Sequence, residues 1–372
     1  MWWKGPYFLP LALFSFSPDK IATYWTGEIA SDERIIFFPT AAHEWNDTHY
    51  SVPLHGWVIE PEEDSKKRRV FIKFLSKTLK VSDPKEKEIL KRRIRPFVFD
   101  NKSSKSPKIE LGGQIFKMPR SGKNGHVYDT RLIPKEEFEK HLLAEDGGSS
   151  SQDVIEEEVK SVSYHAFDSK SHRNFKGKVF CVPPTGVSVI SDIDDTIKVT
   201  NSMNKKDLLK NTFLREFKAV PGMAKLYQQW KSTTYKNCFF HFVSASPYQL
   251  YEELNDFCRS EGFPEARTFH LKTIRPKDKT LLQLFADPVE YKRQHIEGII
   301  QKYPKRSFVL VGDSGEKDPE IYAEIYRNFP KNVESVWIRN INNCTIGRLQ
   351  GVPIDRCHFF EDGNELLGLP VM

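Results

Sequence analysis

Cysteine is scarce in this chain. The five residues, Cys181, Cys238, Cys258, Cys344 and Cys357, are odd in number, widely spaced and without a C-x-x-C pair. That pattern excludes a disulfide-stapled scaffold and a thiolate zinc site, and it makes reduced thiols in a reducing compartment the expectation. Long apolar runs are missing too. The opening MWWKGPYFLPLALFSFSP is broken by Pro6 and Pro10 and is too short to span a bilayer, though it is not unlike the core of a secretory signal. Residues 1–18 are therefore set apart as a possible signal or anchor, with a cytoplasmic protein peripheral to membranes as the default expectation. Neither sign of charge dominates: the formal net charge is +6, with a pI near 8.8. A mildly basic balance favours anionic partners without choosing among lipids, nucleic acids and phosphorylated proteins.

With 372 residues, 39% of them hydrophobic and 13% aromatic, the chain is globular by composition and long enough for two domains. Residues 19–182 read as a β-rich domain. Its expected strands are ERIIFF, PLHGWVIE, KRRVFIKFL, RPFVFD and GGQIFKM, separated by Asp, Asn, Gly and Pro clusters, with SVSYHAF and KGKVFCV as two more. Between them AEDGGSSSQDVIEEE, Ala144 to Glu158, reads as a linker or long loop. A dense basic stretch runs from Lys66 to Arg95. Its segment KEKEILKRRIR would put Ile89, Leu90 and Ile94 on one side of a short helix, either as a membrane-surface element or as a solvated charged face over a buried stripe.

From Gly186 the pattern changes, and the stretch GVSVISDIDDTIKVT organises the remainder of the chain. The apolar run Val187 to Ile190 ends in Asp192, Asp194 and Asp195 before Thr196, as a buried strand delivering carboxylates to its C-terminal edge would. Parallel α/β sheets put their chemistry at that edge. Three aspartates in four residues repel one another unless a cation neutralises them, and hard oxygen donors suit magnesium. An Asp and a Thr after a strand can also do no more than cap a helix or shape a turn. An EF-hand is excluded by the lack of its Gly at position six and its distal Glu.

Three further strand edges carry complementary groups. CFFHFV ends in Ser244-Ala245-Ser246-Pro247 before a helical segment from Tyr248 to Phe257, which reads as a phosphate cradle or as a simple Ser cap. Lys292 stands at the start of a helix with Ile296, Ile299, Ile300 and Tyr303 on one face, where the macrodipole disfavours a cation unless an anion sits nearby. FVLV then runs into Gly312-Asp313-Ser314-Gly315-Glu316-Lys317-Asp318, where Asp313 and Asp318 would complete an oxygen shell around a metal.

In the order DxDxT, Ser, Lys, GDxxxxD, these edges resemble the motif series of the haloacid dehalogenase superfamily. More narrowly, ISDIDDTIK, FVSASPYQLY and FVLVGDSGEKDPEIY resemble the actin-patch-protein family of phosphatidate phosphatases, distant relatives of the lipins. The resemblance is strong from about Gly186 to Trp337 and weaker before it. It implies an α/β fold for residues 183–372, a haloacid-dehalogenase-like parallel sheet with helices on both faces, preceded by the β-rich domain.

It also implies roles. Asp192 would be the nucleophile, forming an aspartyl-phosphate; Asp194 would protonate the leaving alcohol and then activate water; Thr196 would bond to Asp194 or the backbone; Ser244 and Lys292 would bind the phosphoryl oxygens. Mg2+ would be held by Asp192, the carbonyl of Asp194, Asp313 and Asp318. The plain expectation for Asp195 is a helix cap. The implied activity is magnesium-dependent hydrolysis of phosphatidate to diacylglycerol and phosphate at a membrane surface. A phosphoprotein or soluble phosphoester substrate, or a phosphatidate-binding module with little turnover, stands as the alternative. No nucleic-acid partner is expected, and no protein partner is indicated. The stripe Leu208, Leu209, Phe213, Leu214 and Phe217 reads as core packing rather than a bilayer insert.

Overall fold

The computed structural model describes residues 27–61, 66–145, 159–167, 173–236, 238–274 and 289–368. The apolar opening 1–18 lies outside these residues, as does most of the Gly/Ser/acidic stretch, 146–158. Among the described residues no helix is long and apolar enough to cross a membrane.

The first half contributes β1 (Arg34–Phe38), β2 (Thr40–Glu44), β3 (His49–Glu60), α1 (Lys66–Thr78), α2 (Pro84–Ile94), β4 (Asp100–Asn101), β5 (Lys108–Leu111), β6 (Gln114–Lys117), β7 (His126–Pro134), α3 (Lys135–Glu145), β8 (Ser161–Phe167) and β9 (Asn174–Cys181). Its strands form one sheet in the order β1-β3-β2-β9-β8-β5-β6, with β4 and β7 also paired to β3. In β8 strict alternation buries Val162, Tyr164 and Ala166 on one face. Opposite Tyr164 in β9 stands Gly177, where a Cβ would lie 2.2 Å from the tyrosine ring. No side chain fits there.

Two expected strands take other forms. KRRVFIKFL lies within α1, because its inward contacts come from Ile72 and Leu75, three residues apart, while Val70 and Phe74 are exposed. RPFVFD is a 3-10 turn over Arg95–Val98 that only reaches a strand at Asp100. α3 has no counterpart among the elements expected from the sequence; Phe138 and Leu142, four apart, are buried. KEKEILKRRIR does form a helix, α2, capped by the Asp83 carboxylate on the Lys85 N–H. Its apolar side is covered by protein. Leu90 and Ile94 share a core with Phe213 and Leu214, and even Arg93 is buried, so this helix keeps no free apolar face for a bilayer.

The second half contributes β10 (Val187–Ser191), α4 (Lys205–Phe213), α5 (Met223–Gln229), β11 (Phe239–Pro247), α6 (Tyr251–Ser260), β12 (Arg267–Lys272), α7 (Val289–Lys302), β13 (Ser307–Asp313), α8 (Asp318–Asn328), β14 (Val333–Arg339) and β15 (Cys357–Phe360). The sheet order is β12-β11-β10-β13-β14-β15, and every pairing is parallel. Consecutive side chains of β10 point to opposite faces. Val189 packs with Phe213, Leu226 and Leu254, whereas Ile190 packs with Ile296, Ile299 and Ile325. Helices therefore cover both faces, which is why these strands read as continuous apolar runs. The stripe at Leu208, Leu209, Phe213 and Leu214 is core, in agreement with its helical spacing, although α4 ends at Phe213.

Candidate active site

Three adjacent strands, β11, β10 and β13, deliver the polar groups at their C-terminal ends. Asp192 follows β10 directly, its N–H donating to the Val311 carbonyl of β13 at 2.9 Å. Asp313 closes β13, and Asp318 opens α8. One carboxylate oxygen from each of Asp192, Asp313 and Asp318 falls within 4.8 Å of the others, all three residues being buried. Gly312 makes this possible: a Cβ there would sit 2.5 Å from Asp318 Oδ2.

Lys292, in the first turn of α7 and 1% exposed, places Nζ 2.9 Å from Asp192 Oδ1, 2.6 Å from Asp318 Oδ1 and 3.6 Å from Glu316 Oε2. Three carboxylates thus face one ammonium, with Asp313 behind them. Burial raises the Asp192 carboxyl well above its usual range; Lys292 opposes this while Asp318, Asp313 and Glu316 add to it. Asp313 is raised well above that range too, by burial first and then by Asp318. Burial opposes the charge on Lys292, but Asp192, Asp318 and Glu316 outweigh it and hold the ammonium well above its ordinary value.

A divalent cation fits this cluster. Asp313 Oδ1 accepts from the Gly315 N–H at 2.7 Å, yet its Oδ2 is buried with no hydrogen-bond partner. An orphaned anionic oxygen beside two more carboxylates is a donor set for a hard cation.

Asp194 turns away from that cluster to a second set of partners. Its Oδ1 lies 2.7 Å from Lys198 Nζ and accepts from Thr200 Oγ1 at 2.8 Å. Its Oδ2 accepts from Ser246 Oγ at 2.8 Å and Ser244 Oγ at 3.1 Å. Burial would raise this carboxyl, but Lys198, Thr200 and Ser246 push it down to about 2. It is a carboxylate at neutral pH.

Two expected contacts differ. Thr196 Oγ1 reaches Asp192 Oδ2 at 3.4 Å rather than Asp194, because the chain turns back on itself over Ile193 to Lys198, with N–H groups 196, 197 and 198 all directed at the Ile193 carbonyl. Asp195 caps no helix. It adopts a left-handed φ of 58°, and its carboxylate accepts from the N–H groups of Thr200, Asn201 and Ser202 at 2.8, 2.7 and 2.6 Å, closing the loop.

The structure thus brings Asp192, Lys292, Asp313 and Asp318 together as one group and Asp194 with Ser244 as the other, with Thr196 beside Asp192. Sequence reasoning missed Lys198, Thr200, Ser246 and Glu316. Signals existed: Lys198 and Thr200 continue the DIDDTIKVT run with polar residues at alternate positions, and Ser246 repeats Ser244 two residues on.

Residues 187–340 match the family described as phosphatidate phosphatase APP1, catalytic domain. An uncharacterized protein of Schizosaccharomyces pombe is 29% identical over 184 residues, which cover 49% of this chain and 30% of the relative. Phosphatidate phosphatase APP1 of Saccharomyces cerevisiae is 31% identical over 165 residues, covering 44% of this chain and 27% of the relative. The similarity therefore spans less than a third of either relative. Among solved structures, a ferredoxin-NADP+ reductase mutant from Plasmodium falciparum covers 82% of this chain and 94% of its own at 9% identity, and its TM-score of 0.18 carries no argument.

Proposed function

We propose that this chain, which carries the catalytic domain of the phosphatidate phosphatase APP1 family, is a magnesium-dependent phosphatidate phosphatase that works through an aspartyl-phosphate. The observation that carries the reading is the convergence of Asp192, Asp313 and Asp318 on one point, with a buried lysine and an orphaned carboxylate oxygen. Asp192, Asp313 and Asp318 would hold the cation. Bound there, it would offset the charge of the carboxylates and of the arriving phosphate.

In the first step an oxygen of Asp192 forms a bond to phosphorus as the bond from phosphorus to the glycerol oxygen breaks, and the departing oxygen takes a proton from Asp194. In the second, water attacks phosphorus, Asp194 takes its proton, and phosphate leaves with Asp192 restored. The proton that Asp194 first donates would come from a monoester carrying one phosphate proton, and the proton taken from water would recharge it for the next turnover. Lys292 and Ser244 would bind the phosphoryl oxygens, their donors being strengthened by the dry surroundings. Ser246 acts with Ser244 in holding Asp194.

The lipid assignment is tested by phosphate release from phosphatidate in mixed micelles, with magnesium or chelator, for wild type and Asp192→Asn. Magnesium-dependent release that the substitution abolishes is expected. Turnover confined to a soluble aryl phosphate or a phosphopeptide would keep the carboxylate chemistry and overturn the lipid; vesicle binding without turnover would make the chain a lipid-binding module. A peripheral site of action at a membrane surface belongs to the same reading, because the substrate lies in a membrane leaflet.

A further inference from the structure

Arg93 is the only residue of α2 whose charged head group is as deeply buried as that of Lys292: it is 1% exposed. It lies in the first half of the chain, yet its partners lie in the second. Its Nη1 donates to the carbonyls of Thr212 at 2.8 Å and Arg215 at 2.5 Å, with Asn211 at 3.3 Å, so it closes the C-terminal end of α4. Its Nε reaches Glu253 at 3.3 Å, and Nη2 lies 3.6 Å from Glu216. Carbonyls left over at a helix end need such donors, and a guanidinium offers five in a fixed fork.

Two routes run from this point to Asp194. Asn211, in the last turn of α4, donates from Nδ2 to the Thr200 carbonyl at 2.8 Å, and the Thr200 hydroxyl donates to Asp194. By the second route the Arg93 guanidinium lies 3.7 Å from the centroid of Phe217, and Lys198 Nζ lies 4.8 Å from the same ring. Lys198 is the ion-pair partner of Asp194 and also donates to Thr200 Oγ1. One ring therefore touches both the arginine of the first half and the lysine that holds the carboxylate.

We propose that Arg93 is a positioning residue for phosphoryl transfer, through which the β-rich half fixes Lys198 and Thr200 and hence the orientation of Asp194. Arg93 does not touch the reacting atoms. Its effect falls on kcat, because a misdirected acid slows the chemical step while Lys292 on α7 and Ser244 on β11, the phosphate-binding groups, stay in place. The proposal rests on the phosphatase reading above and on Asp194 as its acid and base.

A double-substitution cycle on the full chain tests it, with phosphate release from phosphatidate micelles as the readout and Arg93→Met and Lys198→Met as the two changes. Residues acting through one another give non-additive losses, whereas independent ones multiply. Arg93→Met is expected to lower kcat about tenfold with KM within about twofold, and to lower the Lys198→Met enzyme by less than about twofold further. Arg93→Lys keeps the charge and part of the ring contact and is expected to restore part of kcat. Losses that multiply, or a loss confined to KM, would overturn the proposal. Should Arg93→Met fail to fold, as thermal unfolding would show, Arg93→Lys with Lys198→Met forms the same cycle with the charge kept and decides it. A wild-type enzyme without phosphatase activity would instead overturn the functional reading itself.

Discussion

Lys292 and Asp192 form a buried ion pair across two elements, with Nζ 2.9 Å from Oδ1. The lysine comes from the first turn of a helix, where the backbone dipole opposes it. The carboxylate cluster on the strand edges holds it there. Removing one partner of a buried pair leaves the other uncompensated, at a cost of about 3–5 kcal/mol. Lys292→Met is therefore expected to lower stability by about that amount in chelator and to abolish phosphate release. Urea unfolding of both proteins, with and without magnesium, checks it. A variant as stable as wild type in chelator would show that the cluster does not depend on this cation.

A metal bound by the folded chain alone stabilises it by mass action, by about 2.7 kcal/mol at a hundred times its Kd. Magnesium should raise the Tm of wild type reversibly, and Asp313→Asn should remove most of that rise. Differential scanning measures both without reference to turnover. An equal rise in the two proteins would place the metal elsewhere.

Asp194→Asn removes the proposed acid. Loss of general acid catalysis costs roughly 10²–10⁴-fold where the leaving group is an alcohol and far less where it is a stable phenolate. The ratio of kcat/KM on phosphatidate to that on p-nitrophenyl phosphate, which reports the first step alone, should fall accordingly, while the base role in the second step lowers kcat on both. Ser246→Ala, which deletes one hydroxyl donor to the same carboxylate and leaves the others, should cost about tenfold in kcat. Equal losses of kcat/KM on both esters in Asp194→Asn would remove it from the acid role.

Acid sensitivity should come from a different place. His55 Nε2 and His126 Nδ1 lie 2.9 Å apart, both buried between the halves against Phe38 and Tyr248. Burial pushes His126 down to about 3 and His55 well below its usual value. The unfolded chain takes up these protons below about pH 6.5 while the folded one does not. Stability is thus complete above that value and is lost as pH falls towards 3. His126→Phe, which keeps a ring in place, should show a smaller drop in urea midpoint between pH 7 and 5 than wild type. An unchanged drop would acquit the pair.

How far the sequence can be read depends on what each residue touches. β10, β11 and β13 announce themselves because strands buried on both faces need unbroken apolar runs, and their polar ends fall where a parallel sheet gathers ligands. Phe71 to Leu75 does not, since a short apolar run fits either period and its environment decides. Arg93 reads as one more surface charge in a basic stretch, because its carbonyl partners lie more than a hundred residues away. Extended backbone would leave Thr196 beside Asp194, and the tight turn after Ile193 sends it to Asp192 instead.

The sheet order also has a consequence in time. β10 lies between β11 and β13, both of which are made after it, and the pairing of Val187 with Ser307 joins residues about 120 positions apart. At synthesis rates of about 5–20 residues per second, β13 follows β10 from the ribosome by roughly 6–24 s. Until then an apolar strand lacks one of its two neighbours, and Asp192 lacks Asp313 and Asp318, the two carboxylates it later meets. The newborn chain therefore passes through a sticky, catalytically blank interval, and the groups that repel one another meet only after the surrounding sheet can hold them.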